Sequence, residues 1–175
     1  MESFTPLPAF VDGGWRGGSS LPDPQLGWCL LTATGGHVGN DLQHAVVRRW
    51  HAPRAGRINI GGRLAHRRPE GDGVRGSILV DGKRVGEWLV HNDSVATLIP
   101  TATVKKGSTI DFVTDCRGSV SHDSFDWKVV VRYGDGEREE YDSQQQFPEP
   151  VAPPLDAWGQ LAQVLLCTNE LMFID

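Results

Sequence analysis

Of the eight arginines between residues 48 and 75, Arg48, Arg49, Arg63, Arg67, Arg68 and Arg75 fall in or beside strand-like stretches of a segment that also holds Trp50, His66 and Asp72. A guanidinium is planar, permanently charged and carries five donors in a rigid fork, which suits it to hydroxyl-rich or anionic ring compounds. An aromatic face beside it supplies the flat apolar surface on which a sugar ring stacks. The candidate binding set is therefore Arg48, Arg49, Trp50, His66, Arg67, Asp72, Arg75 and Trp127. Against it stands a plainer reading, a solvated face scattered with charge. Trp50, Trp88 and Trp127 all fall in strand-like stretches, where a core role competes with a ligand-facing one. Trp15 lies outside them, as an anchor or an exposed platform.

Metal and covalent chemistry are less well marked. His37, His44, His51, His66, His91 and His122 are spaced too irregularly for a zinc signature. Asp41, Asp72, Asp123 and Asp126 offer oxygen ligands for a structural calcium ion, without the spacing of an EF-hand. Neither a GxSxG elbow nor an HExxH helix occurs, and a glycosidase carboxylate pair is a spatial property that spacing does not reveal. The run TGGHVGNDLQH does not open a helix after a strand in dinucleotide-binding spacing. Cys29, Cys116 and Cys167 form no CxxC pair and read as partly buried thiols.

The elements that position these side chains are strands. From Gly56, Ile58, Ile60, Gly62 and Leu64 alternate with Arg57, Asn59, Gly61 and Arg63, a period of two that buries one face. Val74, Gly76, Ile78 and Val80 share a face of the next strand, and Asp81-Gly82 supplies the two positive-φ residues of a type I′ hairpin. The returning strand, Lys83 to Val90, carries Val85 and Leu89. The polar loop from Ala65 to Gly73 is the expected working edge.

Elsewhere, residues 1–27 read as an extended Pro- and Gly-rich arm pinned by Trp15 and Trp28. Strands follow at Trp28 to Ala33, Ala45 to His51, Ser94 to Ala102, Val104 to Thr114 and Asp126 to Tyr133. In the fourth of these Ile110 and Phe112 point inward, with Thr109, Asp111 and Val113 outward; in the last, Trp127, Val129, Val131 and Tyr133 share a face. About eight strands with irregular connections over residues 28–133 predict an all-β jelly-roll sandwich. Residues 134–153 read as a polar, proline-rich linker, and 154–175 as one helix, Leu155 to about Met172, apolar nearly all round. A net charge of −5 disfavours nucleic acid as a partner, while 21 Gly and 11 Pro suit a turn-rich β chain. No apolar run approaches the roughly 20 residues of a membrane span, and the N-terminus does not have the pattern of a signal peptide.

The motifs HAVVRRWHAPRAGRINIGGRLAH, GDGVRGSILVDGK, VKKGSTIDFVTDCRG and DSFDWKVVV resemble the β-sandwich module of large planctomycete proteins that also carry c-type cytochrome domains. The tail LDAWGQLAQVLLCTNELMFID is similar to the closing helix of the planctomycete cytochrome-associated domain. The sandwich pattern is shared loosely with galactose-binding-like and carbohydrate-binding modules. This resemblance implies one piece of a larger extracytoplasmic protein, with the parent's other domains as partners. The haem motif of those proteins is absent from this chain, so no redox role carries over. The expectation is a non-catalytic module that binds polysaccharide or oligosaccharide through an aromatic and arginine face, with no cofactor beyond a structural calcium. Two alternatives stand beside it: a domain-docking module that binds no glycan, and a small carbohydrate-active enzyme such as a lyase. The apolar tail helix is expected to pack on its own sandwich or to pair with a second copy as a homodimer.

Overall fold

The computed structural model describes residues 4–119, 121–134 and 140–148. Its strands are β1 (Ala9–Val11), β2 (Gly14–Arg16), β3 (Leu30–Thr32), β4 (Gly35–His37), β5 (Val46–His51) and β6 (Gly56–His66). They continue as β7 (Val74–Val80), β8 (Lys83–Val90), β9 (Asp93–Val104), β10 (Thr109–Asp115), β11 (Ser124–Tyr133) and β12 (Glu140–Asp142). All pairings are antiparallel and fall into two sheets. The larger runs β1-β2-β3-β4-β11-β6-β9 with β12 also on β11, and the smaller runs β5-β10-β7-β8. Apart from a 3-10 turn at Leu42–His44, the described residues contain no helix, and none long and apolar enough to cross a membrane. The expected helix from Leu155 to Met172 lies outside the described residues.

Alternation fixes the core. Ile58, Ile60 and Leu64 of β6 are buried beside Trp127, Val129 and Val131 of β11, and they face Ile78 of β7 and Ile110 and Phe112 of β10. Phe112 meets Trp127 edge to face at 5.8 Å, joining the two sheets. Gly76 makes room for this contact. A Cβ there would meet Leu64 Cδ2 at 2.6 Å and the Trp127 ring at 3.1 Å. Gly76→Ala should therefore cost about 1–3 kcal/mol by overpacking, read as a lower denaturation midpoint. An unchanged midpoint would show that Leu64 and Trp127 yield freely.

The hairpin at Asp81-Gly82 forms as expected, with φ of 48° and 76°. The same dipeptide, Asp12-Gly13 at 51° and 75°, closes β1 onto β2, two short strands within the expected extended arm that form the edge of the larger sheet. Two further expectations are corrected, for β10 and for the linker. On β8, Val85 and Leu89 do not face the core; Leu89 is 56% exposed, and Trp88 and Val90 turn inward. The cause is a bulge: Leu79 pairs with Arg84 and Ile78 with Gly86, leaving Val85 as the extra residue and reversing the alternation. On β10, Asp111 and Val113 are buried as fully as Ile110 and Phe112. Within the expected linker, Glu140–Asp142 pairs with β11 and Ser143 is buried, its hydroxyl accepting from the Val129 N–H at 3.0 Å.

Candidate functional site

β5 is an edge strand, paired only with β10, and its sequence VVRRWH sends Val46, Arg48 and Trp50 inward. Arg49 faces the other way, across β10, where Asp111 accepts from its Nε at 2.6 Å and its Nη2 at 2.9 Å. That fork neutralises Arg49 and explains how Asp111 can be buried. Along β5 runs a cleft of about 960 Å³, bounded by the N-terminal segment Phe4–Leu7, the turn before β5, and the segment from Tyr141 to Pro148.

Aromatic rings furnish its walls. Trp50 lies 5.6 Å from Tyr141 with the planes 34° apart, Phe147 covers the Arg48 guanidinium at 5.4 Å, and Phe4 covers that of Arg49 at 4.8 Å. Trp15 donates its Nε1–H to the Pro148 carbonyl at 2.6 Å, which holds the far lip in place. Arg48 is only 9% exposed, and its Nη2 donates to the Thr32 carbonyl at 2.6 Å. Burial holds the Arg48 guanidinium below its usual pKa and pushes the Tyr141 phenol up. The Cys29 thiol at the cleft is pushed up to about 11, chiefly by burial, so it stays protonated and a poor nucleophile.

Of the expected binding residues, Arg48, Arg49 and Trp50 line this cleft and the others do not. Trp127 is enclosed between the sheets at 4% exposure, its Nε1–H donating to Thr97 Oγ1 at 3.0 Å, so it serves the core instead of a ligand. Arg67 pairs with Asp126 on the outer surface of the larger sheet. His66, Asp72 and Arg75 gather at one end of the molecule, where the loop after β6 meets the loop before β11. There the Asp72 carboxylate accepts from the N–H groups of Gly118 and Ser119 at 3.1 and 3.2 Å, and Arg75 donates to Asp115 at 2.9 Å. His66 is not a loop residue but the buried last residue of β6. Its Nε2–H donates to the His122 carbonyl at 2.9 Å, and its Nδ1 accepts from the Asn92 N–H at 3.2 Å. The expected working edge is thus spent on tying two loops together.

Of the aspartates named for calcium, Asp72 lies near enough to Asp123 to raise its pKa. Asp41 caps the turn at Leu42–His44, accepting from Gln43 N–H and from the His44 ring, each at 2.8 Å. Asp126 serves Arg67, and Asp123 is fully buried with neither oxygen hydrogen-bonded. Among the described residues no cluster of three or more His, Cys, Asp or Glu could hold a metal ion. Tyr141, Gln146 and Phe147 escape a sequence reading because they sit in a polar, proline-rich run. Two aromatics in so polar a stretch were the available signal.

No protein-family model and no curated protein matches the chain. Three solved structures are similar to part of it. The PA14 sugar-binding domain from an RTX adhesin is 17% identical over 57% of this chain and 51% of that one, with a TM-score of 0.39. The PA14 domain of the MpAFP antifreeze protein is 13% identical over 56% and 46%, with a TM-score of 0.37. A Paenibacillus sp. cycloisomaltooligosaccharide glucanotransferase complexed with cycloisomaltoheptaose is 14% identical over 54% and 14%, with a TM-score of 0.35. The match spans about half the length of the first two.

Proposed function

We propose that this chain is a non-catalytic carbohydrate-binding module of jelly-roll type that holds an oligosaccharide or a polysaccharide segment in the cleft beside β5. One observation carries the reading: a concave, aromatic-walled cleft of about 960 Å³ in which a guanidinium stands among Trp50, Tyr141 and Phe147. Ligand sites are mostly apolar concavities of this size with a few fixed polar groups. A pyranose presents C–H faces to aromatic rings and hydroxyls to forked or amide side chains, and Gln43 and Gln146 lie on the same cleft. The non-catalytic part of the reading rests on the cleft lining, which among the described residues includes no carboxylate to serve as general acid or nucleophile on a glycosidic bond. Following the sequence resemblance, the module would act outside the cytoplasm within a larger parent.

The test is retention of the full chain in affinity gels containing soluble polysaccharides. Trp50→Ala should reduce retention about five- to thirtyfold, given the 1–2 kcal/mol typical of a lost ring contact in a pocket. Gln146→Ala, on the exposed lip, should weaken retention several-fold without moving the melting temperature. Arg63→Ala, on the opposite face of the larger sheet, serves as the control and should retain glycan normally. Equal retention by all three variants would overturn the assignment, and release of products from polysaccharide would convert it to an enzyme.

A second reading is favoured by the position of Pro148. It lines the cleft, and the chain runs on from there to the apolar stretch Leu155 to Met172. That stretch, or another domain of the parent, could fill the cleft in place of a sugar. Replacing Leu161 and Leu165 by Asp in the full chain separates the two. A marked gain in glycan retention would identify the tail as a competitor, and no glycan retention in any variant would leave docking as the function.

A further inference from the structure

The cleft has an unusual charge for this protein. The chain carries 22 acidic against 17 basic residues, yet the described residues lining the cleft include Arg48, Arg49, His44 and His51 and not one Asp or Glu. The two arginines are not equivalent. Arg49 is held in a fork by Asp111. Arg48 has only the Thr32 carbonyl on Nη2 and the Phe147 ring beside it, and its buried Nε has no hydrogen-bond partner. Among the described residues no carboxylate pairs with it. A buried charge without a counter-ion costs several kcal/mol, and a ligand that brings the opposite charge recovers part of that.

Resting on the carbohydrate reading above, we infer that the cleft prefers acidic glycans, whose carboxylate or sulfate group sits against the unneutralised guanidinium of Arg48. The ring that bears the acid group stacks between Trp50 and the aromatic lip, and the acid group lies toward Arg48. Burial also lowers the pKa of Arg48, in keeping with a guanidinium short of a counter-charge. Carboxylate and sulfate offer the same chemistry here, planar or pyramidal oxygens with a full negative charge, so the test includes a source of each.

Retention of the full chain is measured on polygalacturonate, on a sulfated galactan and on a neutral glucan, at low and at high salt. A charge-assisted hydrogen bond is worth about 1.5–3 kcal/mol, so one or both acidic polymers should be held at least about tenfold more tightly than the neutral one. The preference should shrink as salt rises. Arg48→Gln should abolish the preference, and Arg48→Lys should keep part of it because the charge remains. If Arg48→Gln fails to fold, the wild-type melting temperature in galacturonate, galactose sulfate and galactose gives the same answer, with upward shifts confined to the acidic sugars. Equal binding of neutral and acidic glycans, or a preference untouched by Arg48→Gln, overturns the inference while leaving the carbohydrate reading intact. Retention of none of the three polymers overturns both.

Discussion

Trp127→Ala should lower the unfolding free energy by about 3–5 kcal/mol, the range for deleting a large buried aromatic. The ring touches Phe112 edge to face at 5.8 Å and fills the space above Gly76, so its loss empties the contact between the sheets. It also strands the Thr97 hydroxyl, which is fully buried and accepts the indole N–H at 3.0 Å. An unsatisfied buried group of this kind adds about 1–3 kcal/mol, so Trp127→Phe, which keeps a ring but loses the donor, should fall between wild type and Ala. Urea unfolding followed by far-UV circular dichroism measures both. A loss under about 1 kcal/mol for Trp127→Ala would mean that the ring is not enclosed. A stable Ala variant that no longer retains glycan would return Trp127 to the binding surface.

Asp123→Asn should change the way stability depends on pH. Asp123 is fully buried, neither of its oxygens has a hydrogen-bond partner, and its carboxyl is pushed up to about 7, first by burial and then by the charge of Asp72, against the opposing pull of Arg117. His66 approaches it at 3.8 Å from the end of β6, and His122 precedes it in the chain. In the unfolded chain an aspartate titrates near 3.9, so between about pH 4 and 7 the folded state holds a proton that the unfolded state has released. The stability this contributes is complete below about pH 4 and is lost as pH rises through about 7. Three units correspond to roughly 4 kcal/mol, an upper figure, and about 2–4 kcal/mol is the expected span. The neutral Asn removes this slope. The comparison is best made as the difference between variant and wild type, because His37, whose pKa burial lowers, contributes in the opposite sense. Asn should therefore gain on wild type from about pH 4 to 7, and the difference should level off above that. Parallel profiles for the two proteins would show that Asp123 is ionised and solvated.

Much of the β architecture is readable from short-range pattern. Ile58 to Leu64 and Trp127 to Tyr133 alternate cleanly because each lies in a strand with one face in the core, and the period of two is then unavoidable. Asp81-Gly82 is readable because both residues accept positive φ at little cost and long alternating runs flank them. Asp12-Gly13 has the same chemistry, but its strands are three residues each, too short for a period to show. In β8 the apolar residues occupy both parities, and only the bulge at Val85 decides which of them turn inward.

The candidate site divides in the same way. Arg48, Arg49 and Trp50 are visible as a charged and aromatic strand, and their alternation already separates Arg48 from Arg49. Whether either arginine has a counter-ion depends on register, since pairing β10 with β5 sets Asp111 opposite Arg49 and leaves Arg48 opposite Phe112. The cleft itself brings together segments near residue 4, residue 50 and residue 147, and no local pattern joins them. The sequence alone determined which side chains could stack on or hydrogen-bond a sugar, because that chemistry belongs to the residue type. Only the tertiary structure decided which of them share a cavity. Leaving β5 unpaired on one edge opened the space that Tyr141 and Phe147 come back to line.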